Sequence, residues 1–327
     1  MTRPVEVEVV LSYSERLPVV DVWLVVDILR ASTVMVSWFA AGGGDLYPAD
    51  SVESAERLAK LLRQEGQTPI LMGERNAIAP PGFDLGNSPL DITRELARKH
   101  TCAVMATTNG TKALLKAAST GTPVLVACAR NAFHALDLAL SKGSRVGIFC
   151  SGRKGRPAWD DTLCAGLLIG RLAEHFPDPG IRLADSARLA LLAWQNAASF
   201  AASLRSADHA VFLEKIGFDA DIAFAAETDA ARAVPELHEL PDGEGMRAVL
   251  REGLRGEAPL VLQNPPAPAP ANASAAAPIQ TPKTPPSKPE DDLFSRAAEI
   301  HAAKAAAAHV FFQGRGPWTR NGRGRGK

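Results

Sequence analysis

The sequence predicts an α/β protein, a three-layer α/β/α sandwich with a largely parallel or mixed sheet, followed by a disordered C-terminal tail. Three observations predict it. Short runs of Val, Ile, Leu, Ala and Cys alternate with helix-like segments through the first 250 or so residues. Those runs are continuous rather than alternating, as in strands covered on both faces. Composition then changes near residue 254, beyond which eleven of the 24 prolines lie.

Strands are expected at 6–11, 22–26, 69–73, 101–106, 124–129 and 145–150, and helices at 51–63, 110–118, 132–140 and 161–175. From 183 to 217 the pattern is mostly helical. The domain reading is 1–253 for the α/β body, 254–290 for a Pro/Ala-rich linker, and 291–327 for a short helix with a Gly/Arg-rich end. Formal charge is zero over 327 residues, yet it is unevenly spread. Residues 254–327 hold ten Lys/Arg and five Asp/Glu, against 26 and 31 before them. A mildly acidic body argues against general nucleic-acid binding and leaves only the basic tail as a contact for RNA or an acidic partner. No apolar run is long enough to span a bilayer, and the charged N-terminus does not resemble a secretory leader. The four cysteines have no zinc-like spacing and read as buried thiols of a cytoplasmic protein. A homodimer is the default assembly.

In open α/β sheets, ligands bind beyond the carboxyl ends of strands, often at helix N-termini. Four expected strand ends here are polar. The run 22–26 leads into Asp27-Ile-Leu-Arg30-Ala-Ser32-Thr33, where Asp27 suits a hard cation and Arg30 a phosphate or carboxylate. A helix cap at Asp27 with a surface ion pair at Arg30 explains the same residues. The run 69–73 leads into Glu74-Arg75 and then a polar loop, Gly82-Phe83-Asp84-Leu85-Gly86-Asn87-Ser88-Pro89. The run 101–106 leads into Thr107-Thr108-Asn109-Gly110-Thr111-Lys112, whose amides and hydroxyls suit phosphate oxygens or a plain capped turn. The run 145–150 leads into Ser151-Gly152-Arg153, with Asp160-Asp161 at the next helix start. Acids from separate strand ends sharing one cation would relieve their mutual repulsion. A second chemistry is also legible: Cys150 stands six residues before Arg156, the spacing of a cysteine-phosphatase loop.

The string Asp27-Ile-Leu-Arg30-Ala-Ser32-Thr33 resembles the Asp-x-Leu-Arg-Ala-[Ser/Thr]-[Thr/Ser] signature of the 2-phosphosulfolactate phosphatase family. Gly73-Glu74-Arg75, the 82–89 loop, Thr107–Thr111, Cys150-Ser151-Gly152, Asp161 and Ala165-Gly166 resemble further family motifs in the same order, over roughly the first 240 residues. The family's pattern has Glu where this chain has Asp160. The resemblance implies a magnesium-dependent phosphoric monoester hydrolase. It would convert 2-phospho-3-sulfolactate to 3-sulfolactate and phosphate, on a route toward coenzyme M. It implies Asp27, Arg30, Glu74 and Asp161 as catalytic residues, and Mg2+ on some of Asp27, Glu74, Asp84 and Asp161. Substrate contacts would come from Ser32, Thr33, Arg75, Asn87, Ser88, Thr107, Thr108, Asn109, Gly110, Thr111, Lys112, Ser151, Gly152 and Arg153. A cysteine-dependent phosphatase and a non-catalytic binder of a phosphorylated metabolite are the alternatives.

Overall fold

The computed structural model describes residues 4–176, 179–241 and 246–253, with no side-chain detail for 240, 241, 246 and 247. The linker and tail expected beyond 253 lie outside the described residues.

Ten strands form one mixed sheet. They are β1 (Val5–Val10), β2 (Val22–Val26), β3 (Asp45–Ala49), β4 (Pro69–Gly73), β5 (Cys102–Ala106), β6 (Val124–Val126), β7 (Arg145–Cys150), β8 (Ile181–Leu183), β9 (Pro235–Pro241) and β10 (Met246–Glu252). Their order is β4-β5-β3-β10-β9-β6-β2-β7-β1-β8. The first three pair in parallel, as do the last five. The antiparallel hairpin β9–β10 joins the two groups by short ladders, one residue pair to β3 and two to β6.

The six expected strands all form. Every residue of β2, β4 and β5 is buried, which explains their unbroken apolar character. β1 differs: Val5, Val7 and Val9 are buried while Glu6 and Glu8 are partly exposed. Four strands are additional to those expected. β3 carries Pro48 and follows three glycines, and proline in a run argues against a strand. β8 has only three residues. The hairpin's β9 begins and ends in proline and alternates charge, although Val249 and Leu250 of β10 are fully buried.

The helices are α1 (Ala31–Ala40), α2 (Val52–Gln64), α3 (Arg94–Lys99), α4 (Gly110–Ala118), α5 (Ala132–Lys142), α6 (Trp159–His175), α7 (Asp185–Gln195), α8 (Phe200–Arg205), α9 (Asp208–Lys215) and α10 (Asp219–Ala225). Helix α2 shows the local logic. Ser51 caps it by accepting from the Ser54 amide at 3.0 Å, Glu53 sits in its first turn and Arg63 in its last, matching the helix dipole. Its Ala55, Ala59 and Leu62 cover a smaller core with Leu71, Val104 and Val249. The larger core gathers β1, β2, β6 and β7 under α1, α5 and α6, including Trp23, Leu24, Trp38, Ile148 and Phe149. Each fully buried aliphatic or aromatic side chain contributes about 1.5–3 kcal/mol. Helix α4 packs on both β2 and β3, and so spans the two groups of strands.

Candidate active site

The residues after β2 knit a self-contained turn. The Ser32 amide donates to Asp27 O at 2.9 Å, the Asp27 amide donates to Ser32 Oγ at 3.2 Å, and Thr33 Oγ1 donates to Ile28 O at 2.7 Å. Ser32 and Thr33 therefore shape the turn that presents Asp27. The residues after β4 and β5 are joined by Glu74, whose two carboxylate oxygens accept from the Thr108 amide at 2.7 Å and the Ala77 amide at 2.9 Å. Gly73 permits this junction: at φ 150° it lies so close to β5 that a methyl there would stand 1.9 Å from Ala106 O.

These turns meet at Gly110. A methyl on Gly110 would lie 2.6 Å from both Asp27 Oδ2 and the Ala31 Cβ. The start of α4 thus rests directly on the Asp27 carboxylate. That start has no side-chain cap. Thr107 and Thr111 bond to each other instead, the Thr111 amide donating to Thr107 Oγ1 at 3.0 Å. The amides of Asn109, Gly110 and Lys112 have no partner among the described residues, and Asn109 Oδ1 is buried and unpaired. Free amides at a helix N-terminus suit an anion. Gly110→Ala is expected to push Asp27 aside and cost about 1–3 kcal/mol of stability. A displacement of that kind should lower kcat roughly 100-fold, as steady-state kinetics and urea melts on one preparation would show.

Asp161, at the start of α6, is buried and fixed by three donors. The Ile28 amide reaches Oδ1 at 3.0 Å, and Ser151 Oγ and the Gly152 amide reach Oδ2 at 3.0 and 2.9 Å. It ties the turn after β7 to the turn after β2. Asp160 is also buried, with His209 Nδ1 of α9 at 3.6 Å from Oδ2. Burial lifts the Asp27 carboxyl to about 6; the His209 charge opposes this, and the Asp160 and Glu74 charges add to it. Burial, then the charges of Asp160 and Asp27, push Asp161 well above the usual carboxylate range. Mutually repelling buried acids are what a cation relieves. Among the described residues, no three Asp, Glu, His or Cys side chains close on one point as an all-protein metal cage would. Magnesium commonly takes one or two carboxylates and completes its shell with waters and substrate phosphate, and this donor set fits that mode.

Most of the remaining expected residues bond to other parts of the chain. Arg30 is buried and faces away from solvent, donating from Nη1 to Asp221 Oδ2 at 2.7 Å and from Nη2 to Ala77 O at 2.9 Å, over the Phe218 ring. Ser88 donates to the other oxygen of Asp221 at 2.6 Å, so Arg30 and Ser88 together tie α10 to the turn after β2 and to the 82–89 loop. Asn87 is buried beside them, its Oδ1 unpaired. Arg75 donates to the Glu74 carbonyl at 2.7 Å. Asp84 accepts from the Leu71 amide at 2.8 Å, alongside β4. Lys112 is exposed on α4. Arg153 lies over the Phe212 ring of α9, 5.5 Å from its centroid.

A cleft of about 610 Å³ opens beside Asp160, with Arg153, Lys154, Arg156, Trp159 and His209 among its walls. His209 and Asp221 were not legible as site residues. His209 lies in the 183–217 segment that reads only as helical, and Asp221 lies just beyond it.

Cys150 does not suit a nucleophile. It is fully buried, donates to Asp161 O at 3.4 Å, and burial together with the Asp161 charge pushes its thiol well above the usual range. A reactive thiolate needs exposure and positive neighbours. Cys150→Ala is expected to keep turnover within about fivefold of the parent in a phosphate-release assay, since it removes one buried sulfur only.

Acids gathered at strand ends against an uncapped helix N-terminus define the site class of an α/β enzyme acting on an anionic ester. Comparison with known proteins narrows the class. Residues 11–240 match the family model described as 2-phosphosulpholactate phosphatase. A protein of Thermus thermophilus named probable 2-phosphosulfolactate phosphatase is 38% identical over 228 residues, 68% of this chain and 90% of its own length. Proteins of the same name from Deinococcus radiodurans and Pseudothermotoga lettingae are 35% identical over 219 residues and 33% over 216, each covering 88% of the relative. The chain belongs to the 2-phosphosulfolactate phosphatase family, and is a phosphoric monoester hydrolase. No helix among the described residues is long and apolar enough to cross a membrane.

Proposed function

We propose that the chain hydrolyses 2-phospho-3-sulfolactate to 3-sulfolactate and phosphate, with magnesium bound in the acid cluster. The observation that carries this reading is the contact between Asp27 and the uncapped start of α4 at Gly110. The names of the relatives support the substrate.

The phosphoryl group sits on the free amides of Asn109, Gly110 and Lys112, where the helix dipole offsets its charge. Asp27 lies against the same turn. Its carboxyl, lifted to about 6 by burial, is ionised at neutral pH yet basic enough to orient water and take its proton as the oxygen–phosphorus bond forms. The bond between phosphorus and the C2 oxygen breaks in line, and the departing alkoxide takes a proton from solvent water to give 3-sulfolactate. Asp160, with the remaining lone pair of Asp161, would hold magnesium. When bound, the ion supplies positive charge that polarises the phosphoryl oxygens. Glu74 and the donors on Asp161 keep the turns in register. Water rather than Asp27 is the attacking nucleophile in this scheme. Four buried cysteines, none of them in a disulfide, suit a reducing cytoplasm.

The reading is tested by phosphate release from racemic 2-phospho-3-sulfolactate and from phospholactate in parallel. Preference for the sulfonated ester supports it. Release from phospholactate alone would keep the phosphatase and discard this substrate.

A further inference from the structure

The turn between β7 and α6 carries a feature that the hydrolytic steps do not use. Lys154 at φ 53° and Gly155 at φ 76° occupy its two central positions. Arg153 and Arg156 close it by reciprocal backbone bonds, the Arg153 amide to Arg156 O at 2.8 Å and the Arg156 amide to Arg153 O at 3.0 Å. Two successive residues at positive φ make a tight turn of fixed shape. Its surroundings hold it in place. Ser14 Oγ donates to Gly155 O at 2.7 Å, and Gly152, at φ 66°, lies so close beneath that a methyl there would stand 2.3 Å from Arg156 O.

Two residues that exchange both backbone bonds stand directly opposite, with their side chains on the same face. Here both are arginines, and like charges in that relation destabilise the pair. Among the described residues no carboxylate pairs with Arg153, Lys154 or Arg156. All three line the cleft beside Asp160. Against these three cations the cleft walls carry two acids, Asp160 and Asp208, which leaves one positive charge in excess before His209 is counted. The other arginines near the centre are engaged elsewhere, Arg30 with Asp221 and Arg75 with the Glu74 carbonyl.

We propose that Arg153 and Arg156 bind the terminal sulfonate of the substrate, the anionic group that phospholactate lacks, and thereby set the specificity of the hydrolase; this rests on the phosphatase reading above. A sulfonate presents three acceptor oxygens, enough for both guanidinium groups, and places its charge between two cations that otherwise repel. A pair of arginines in the cleft beside Asp160 discriminates an ester with a charged end from one without.

The test compares kcat/KM for 2-phospho-3-sulfolactate with that for phospholactate, which lacks only the sulfonate, in the parent and in Arg153→Gln/Arg156→Gln. The ratio is expected to fall roughly 100-fold in the double variant, through KM for the sulfonated ester, as expected for losing charged hydrogen bonds to one group. Arg153→Lys/Arg156→Lys should restore part of it, because charge remains while the paired geometry is lost. An unchanged ratio in a folded double variant overturns the proposal. If the parent releases phosphate from neither ester, the proposed reaction has failed, and calorimetry with 3-sulfolactate and lactate decides the subsite separately. Binding of 3-sulfolactate by the parent and its loss in the double variant would uphold it. Equal binding by both proteins, or binding by neither, would overturn it.

Discussion

Asp27→Asn is expected to cut the rate of phosphate release roughly 10³-fold and to make the fold more stable. The two effects share one cause. Asp27 is buried at the end of β2 with the start of α4 upon it, and Asp160 and Glu74 add their charges to the burial that lifts its carboxyl to about 6. The folded chain therefore holds this proton more tightly than the unfolded chain, whose carboxyl titrates at about 4. The resulting stabilisation is fully present below about pH 4 and is lost as pH rises through about 6. At pH 8 the ionised carboxylate costs on the order of 2–3 kcal/mol, and Asn removes that cost. With chelator present, so that no cation offsets the charge, the variant should melt about 4–10 °C higher than the parent at pH 8, and at the same temperature near pH 4. Loss of the proton acceptor should lower kcat roughly 10³-fold. Calorimetric melts at both pH values, with phosphate assays on the same samples, check both halves. A melting difference independent of pH would contradict the assignment of the strain to this carboxyl.

Arg30→Met is expected to act in the opposite sense, on stability first. Arg30 and Asp221 form an ion pair in which both side chains are almost wholly buried, and Ser88 completes the set. Removing one partner leaves an unpaired buried carboxylate, at a cost of about 3–5 kcal/mol. Changing Asp221 to Asn in the same chain neutralises the orphan and should recover about 2 kcal/mol of it. Were Arg30 a direct phosphate clamp, Arg30→Met would instead cut kcat with little change in stability, and Asp221→Asn would recover nothing. Urea denaturation of the two single variants and the double variant separates these outcomes through the coupling energy.

Why one part of the site was legible and another was not follows from how each is built. Asp27 and Glu74 directly follow strands whose apolar runs announce themselves, and Gly110 and Asp161 lie in the first turns of the helices after two more such strands, so the order of runs and polar breaks marked these positions. The strands that declare themselves are those buried on both faces, such as β2 and β5. β3, with Pro48 in it, and the polar hairpin β9–β10 obey tertiary pairing over local preference. The contacts made by Arg30 were not legible. Its partner Asp221 is 191 residues away in the chain, and nothing local in a helical stretch marks one aspartate as buried. The same holds for His209 facing Asp160. Asp84 and Arg75 belong to motifs that the sequence marks plainly, yet these side chains bond to backbone nearby, at Leu71 and Glu74. A motif records that residues are needed together, while only geometry divides those that shape the loop from those that face the ligand.

The most direct test of the account is phosphate release from 2-phospho-3-sulfolactate by the chelator-stripped chain, before and after magnesium is added. The account predicts no release before addition and sustained release after it. Equal release in both conditions, or none in either from protein shown to be folded, would contradict it.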